Sequence, residues 1–211
     1  MTGWRSLIGG SRQLVRGFQR RQPVTVLLYH RVDDAFKDAL TVSVEQFRWQ
    51  CTYLAKHYSV IAFSDLLKVQ SFQSGKPLVV ITFDDGYACN FLNAAPILKE
   101  LDLPAIFFVT SGFIGTNRMF DHDKKLYQSP IPLMTWEQVR TLDEQGFEIG
   151  SHTVNHVRCS DLSSEDLQRE LEASKLEIEK QLGKSVPFFA YPFGKRSDLR
   201  EEQKELISAS Y

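Results

Sequence analysis

The chain has 211 residues, of which 43% are hydrophobic, 12% aromatic and 24% charged, with a formal net charge of −1. That is enough chain to bury a core, and its apolar content excludes a disordered polypeptide. Near-neutral charge excludes the basic excess of nucleic-acid binders, and no apolar run approaches the roughly 20 residues that span a bilayer.

Residues 1–22 carry Arg5, Arg12, Arg16, Arg20 and Arg21 and no acid. Trp4, Leu7, Ile8, Leu14, Val15 and Phe18 recur at helical spacing, which describes a basic amphipathic segment. It suits peripheral contact with an anionic membrane surface, and equally a solvated tail or a helix lying on the domain. No continuous apolar stretch follows the arginines as in a secretory signal, so the expected location is cytoplasmic or peripherally membrane-associated.

From residue 23 short apolar runs alternate with amphipathic stretches. Val24–Tyr29 predicts a buried strand. Ser43 can cap a helix to Lys56 that places Phe47, Cys51, Leu54 and Ala55 on one face. A short strand at Tyr58–Ile61 and a short helix at Ser64–Gln70 follow. Leu78–Phe83 (LVVITF) is the strongest strand, then a helix from about Asn90 to Leu101 and a strand at Ala105–Thr110. Segment 111–132 lacks periodicity and reads as a long excursion, of the kind that is functional or disordered. Thr135, with Gln138 in the capping-box position, starts a helix to Glu144 that Gly146 stops. A strand at Phe147–Ile149, a helix from Ser163 or Ser164 to Gly183, a strand at Phe188–Tyr191 and a last helix from about Ser197 complete the order. Alternating strands and helices predict one α/β domain with a parallel sheet, barrel-like, over residues 23–211. Cys51, Cys89 and Cys159 are odd in number and widely spaced, which gives no disulfide framework and fits a reducing compartment.

Reactive side chains cluster just past strand ends. His30 follows the first strand, Asp84-Asp85-Gly86 the strongest one, His152 and His156 the FEIG strand, and Pro192-Phe193-Gly194 the FFAY strand. In parallel barrels these ends share one face, which carries the active site. Two adjacent acids can share a site only where a strand ends and turns, and Gly86 permits that turn. A histidine pair four apart, joined by one carboxylate from the DDG turn, makes a typical catalytic site for a divalent metal. Cys159, three residues after His156, is the weaker third ligand. His30 alone reads as structural, and His57 and His122 as surface or packing residues.

TFDDG (Thr82–Gly86), SHTVNH (Ser151–His156) and YPFG (Tyr191–Gly194) together resemble the polysaccharide deacetylases of carbohydrate esterase family four, the nodulation-deacetylase homology domain. LLYHRV (Leu27–Val32) resembles a circularly permuted subgroup that includes poly-N-acetylglucosamine deacetylases. The resemblance implies an irregular (β/α) barrel over roughly residues 23–207 and a metal-dependent hydrolase that removes N-acetyl groups from an N-acetylated polysaccharide or oligosaccharide. It assigns Asp85, His152 and His156 to a divalent metal, most often zinc. Asp84 would be the general base, His30 the general acid and the Phe193 N–H an oxyanion donor, with Tyr191, Pro192 and Gly194 shaping the substrate pocket. Proton transfers of this kind each contribute about 10² to 10⁴ in rate.

Two departures leave alternatives open. Ala190 stands where the family's third motif often has an arginine that orients the base, and Phe193 where it has tyrosine. The family's final strands and later Asp-rich motif are missing before Tyr211. The expectation is therefore a metal constellation on a barrel short of its last strands, with an open sheet edge that a partner chain or residues 1–22 would cover. A relative that binds metal or glycan without turnover and an O-deacetylase on the same scaffold are the competing readings.

Overall fold

The computed structural model describes residues 23–71 and 75–211. The basic segment 1–22, with its expected membrane contact, lies outside the described residues. Strand β1 (Val24–Tyr29) leads through the short β2 (Arg31–Val32) and β3 (Thr41–Val42), paired with each other, into helix α1 (Val44–His57). Ser43 caps α1 by accepting the Gln46 N–H at 3.2 Å, and Phe47, Cys51 and Leu54 form its buried stripe. β4 (Ser59–Val60), a 3₁₀ helix (Phe63–Ser71) and β5 (Leu78–Phe83) follow.

The helix expected from Asn90 begins as a π turn, Asn90–Ala94, before α2 (Ala95–Glu100). Pro96 explains the difference: it has no N–H for the Leu92 carbonyl, and the Ala95 N–H reaches back to Asn90 instead. β6 (Ile106–Val109), the single turn α3 (Asp121–Lys124), α4 (Trp136–Glu144) and β7 (Glu148–Ser151) come next. Thr135 and Gln138 form the expected reciprocal capping box on α4. α5 (Ser164–Leu182) is capped by Ser163 and stopped by Gly183 in the left-handed region at φ 69°. The last helix, α6 (Glu201–Ser210), starts later than expected, behind a 3₁₀ turn at Arg196–Asp198.

β1, β5, β6 and β7 lie side by side in that order, all parallel. The far edge of β5 is divided: β4 pairs with its first residues and β6 with Thr82 and Phe83. The expected strand at 188–191 contracts to one parallel bridge between Ser151 and Phe189. β7 ends there, and Pro192 has no N–H with which to continue the ladder. Among the described residues β1 pairs only with β5, so this parallel α/β sheet is open at β1 and does not close into a barrel.

One face of the sheet packs on the helices. Val79, Ile81, Phe83, Phe107, Val109 and Ile149 meet Phe47 of α1, Leu98 of α2, Val139 of α4 and Ile178 of α5 in a single core. The other face is filled by the 3₁₀ segment, where Phe63 stands 5.5 Å from Phe108 and 5.1 Å from Phe188, ring to ring. Glu148 secures that segment by accepting the N–H groups of Phe63 at 2.7 Å and Ser64 at 3.1 Å. β1 and β5 are in register from Val24–Leu78 to Tyr29–Phe83, and β6 and β7 from Ile106–Glu148 to Val109–Ser151. The strand ends are therefore level, and the side chains that follow them share one rim.

Candidate active site

At the end of β5 the backbone turns through Asp85 and Gly86, both left-handed at φ 74° and 93°. The left-handed φ of Gly86 strains any side chain there, and a Cβ would also push on the Ile114 Cδ1 methyl 2.7 Å away, so the turn favours glycine. Asp85 is thereby thrown under the rim, fully buried. At the end of β7, Thr153 and His156 are also left-handed, at φ 66° and 53°. Thr153 Oγ1 accepts the His156 N–H at 2.9 Å, which folds the second histidine back towards the first. Glu170 of α5 fixes the intervening loop, accepting N–H groups from Val154 at 2.8 Å and Asn155 at 3.0 Å.

His152 donates Nδ1–H to the Ala190 carbonyl at 2.8 Å, which leaves its Nε2 bare. That Nε2 lies 3.6 Å from Asp85 Oδ1, and His156 Nε2 lies 3.2 Å from the same oxygen. The three ligand atoms all fall within 4.8 Å of one another. Among the described residues neither Asp85 side-chain oxygen has a hydrogen-bond donor, although both are buried. An orphaned buried carboxylate facing two imidazole nitrogens is costly unless a cation stands between them, and this N₂O donor set suits a divalent transition metal. The described residues fit such an ion.

The protonation preferences agree. Burial alone would raise the Asp85 carboxyl, but the facing His156, His152 and His30 outweigh it and hold it below the ordinary range. Burial pushes His152 down to about 4, against the pull of Asp85, so it is neutral at pH 7 as a ligand must be. Asp84, nearly buried beside that charge, is pushed well up, first by burial and then by Asp85. Among the described residues no arginine pairs with it, and its Oδ1 is buried without a hydrogen-bond partner.

The remaining expected residues sit around this centre. His30 is half-buried on the rim, its carbonyl held by Asn90 Nδ2 at 2.7 Å. Burial lowers its pKa, partly opposed by Asp85, yet its ring forms no ion pair or hydrogen bond with either aspartate. Pro192 is buried, and Phe193 is left-handed at φ 70° with its ring 5.0 Å from the His156 ring. Tyr191 turns away, packing with Phe189 near Leu167 and donating to the Gly194 carbonyl at 3.4 Å. Cys159 is sealed against Leu167 and Leu171, and the His57 ring lies 4.5 Å from the Tyr53 ring, tilted by 35°, outside the site.

His122 corrects the reading of a surface or packing residue. It lines a cleft of about 390 Å³ with Phe113, Phe120, His156 and Phe193, and its Nε2 is 4.0 Å from Asp85 Oδ2. The aperiodic segment 111–132 was the one sign of it in the sequence. Tyr87, Asp123 and Arg31, which support this histidine, gave none.

The sequence model of the polysaccharide deacetylase family matches residues 72–207. The poly-beta-1,6-N-acetyl-D-glucosamine N-deacetylase of Escherichia coli (strain K12) is 29% identical over 140 residues, covering 60% of this chain and 20% of that protein. YxkH of Bacillus subtilis (strain 168) is 26% identical over 176 residues, 82% of this chain and 57% of YxkH. The chain thus spans little more than half of one relative and a fifth of the other. The solved structure of IcaB from Ammonifex degensii shares the fold, with a TM-score of 0.71 and 24% identity over 89% of this chain and 80% of that one. By the family match and the three strand-end motifs within it, this chain belongs to the polysaccharide deacetylase family.

Proposed function

We propose that the chain hydrolyses N-acetyl groups from an N-acetylated glycan, using a divalent metal. The observation that carries this reading is the buried Asp85–His152–His156 cluster with a second carboxyl, Asp84, beside it. Asp85, His152 and His156 would hold the ion, zinc being the metal that the family resemblance implies and one that this N₂O set accommodates. Bound there, it polarises an acetamide carbonyl and lowers the pKa of a water towards neutrality.

The chain's own residues supply the rest. With a cation beside it to offset burial and the Asp85 charge, Asp84 would be ionised and take the proton of the attacking water at its carboxylate. His30, across the rim, gives a proton to the departing nitrogen. The Phe193 N–H, which donates to no group among the described residues, is free to stabilise the oxyanion. Pro192 and Gly194 hold that turn, and Tyr191 braces it from behind.

Acetate release from N-acetylglucosamine oligomers tests the reading. The folded parent is expected to release acetate, to stop with chelator, to resume with zinc and to stop again in Asp84→Ala. No release from any N-acetylated sugar by well-folded, metal-loaded parent overturns it. One observation favours a second reading, binding without turnover: Ala190 leaves Asp84 Oδ1 without the guanidinium partner that the family motif often provides. Glycan binding with no acetate release would select it.

A further inference from the structure

Arg31 is wholly buried, and a buried guanidinium must be paired. Its Nη1 donates to Asp123 Oδ1 at 2.6 Å, its Nη2 to Asp38 Oδ2 at 2.7 Å and its Nε to Thr41 Oγ1 at 3.0 Å. The other Asp123 oxygen accepts the Tyr87 hydroxyl at 2.7 Å. That hydroxyl has one proton and spends it on Asp123, so its 2.9 Å contact with His122 Nε2 requires Nε2–H to be the donor. The chain of hydrogen bonds therefore fixes the tautomer of His122 and leaves Nδ1 as a bare acceptor.

The ring is also fixed in orientation. It stacks on Phe120 at 5.4 Å and 6°, and Phe120 stacks on Phe113 at 4.3 Å and 7°. Yet its side chain is 28% exposed, lines the cleft with His156 and Phe193, and has no partner for Nδ1 among the described residues. A charged network this deeply buried, ending on one open acceptor 4.0 Å by its other nitrogen from Asp85, is built to meet something in the cleft.

We propose that His122 is a further substrate-binding residue: Nδ1 accepts a hydrogen bond from a hydroxyl of the same sugar whose acetamide faces Asp85, His152 and His156. This rests on the deacetylase reading above. Arg31, Asp123 and Tyr87 are positioning residues that act through His122.

The test pairs two variants. His122→Phe keeps the stack on Phe120 and loses the acceptor, whereas His122→Asn returns an amide oxygen near the place of Nδ1. With zinc content and thermal unfolding at parental values, His122→Phe is expected to raise KM for N-acetylglucosamine oligomers about tenfold while kcat stays within about twofold. The Kd of the oligomer, measured calorimetrically in zinc-loaded Asp84→Asn background, should rise by the same factor, and His122→Asn should restore most of both. Unchanged KM and Kd in His122→Phe, a fall in kcat alone, loss of zinc, or no recovery in His122→Asn each overturns the assignment. Failure of the parent to release acetate strikes instead at the deacetylase reading, and the binding arm still reports on His122.

Discussion

β1 and β5 are neighbouring parallel strands of six residues, VTVLLY and LVVITF, paired in register along their whole length. Every residue of β5 is buried and none of β1 is; Val26 and Leu28 stay 52% and 53% exposed. Composition does not separate them. β5 has β1 on one edge and β4 and β6 sharing the other, with helices on one face and the 3₁₀ segment on the opposite one. β1 has one paired edge and a second face only partly covered. The contrast extends past their ends, where β5 delivers a fully buried Asp85 and β1 a half-buried His30. Burial therefore follows topology, and the rim inherits it: the enclosed strand ends on buried carboxylates and the open strand on a half-buried imidazole.

The sharpest way to break this comparison is at the strand ends. Asp85→Ala should reduce zinc stoichiometry and acetate release to background, whereas His30→Ala should retain the metal and lower kcat by about 10² to 10⁴. Equal loss of metal in both would remove the distinction. Within the strands, Ile81→Ala should cost about 2–5 kcal/mol in denaturant unfolding, because it empties a wholly buried site.

Acid should loosen the β1 side first, since the segment after β1 is pinned by charge. Burial would raise the Asp38 carboxyl, but hydrogen bonds from Tyr127 and Arg31 outweigh it and hold it at about 2, below its ordinary 3.8. Its folded value is depressed, so its stabilisation is complete above about pH 4 and vanishes as pH falls through about 2. Unfolding free energies across this range should decline in the parent and decline less in Asp38→Asn. Smallest of all, Leu28→Thr should change stability by no more than about 1 kcal/mol. A loss comparable with that of Ile81→Ala would show β1 covered in solution.

The legible parts of the fold were those written locally. Ser43, the Thr135–Gln138 pair, and Ser163 with Gly183 announce helix ends because capping depends on residues within a few positions. Asp85, His152 and His156 were legible for a related reason: parallel strands bring their ends to one rim, whatever the strands contain. The π turn escaped because Pro96 acts on an acceptor one turn back, and the FFAY strand because its length depends on where β7 stops. His122 escaped for a longer-range reason. Its orientation depends on an Arg31–Asp123 pair 92 positions apart in the chain, and no window on the sequence displays that contact. Tyr191 adjoins Pro192 in sequence, but its ring follows the apolar cluster under α5 instead of lining the cleft.

Among the described residues five non-glycine positions hold left-handed backbone, and four of them, Asp85, Thr153, His156 and Phe193, stand at the rim. Such conformations cost about 1–3 kcal/mol each, a reserve of local stability that a thermostabilisation campaign would find first. Glycine at Thr153 or Phe193 would relax the backbone at that position. The first exchange deletes the hydroxyl that folds His156 inward, and the second deletes the ring beside it while sparing the N–H. Selection for heat resistance alone would thus drift towards a sturdier protein with a slacker metal grip, and screens on this chain should weigh retained zinc alongside retained structure.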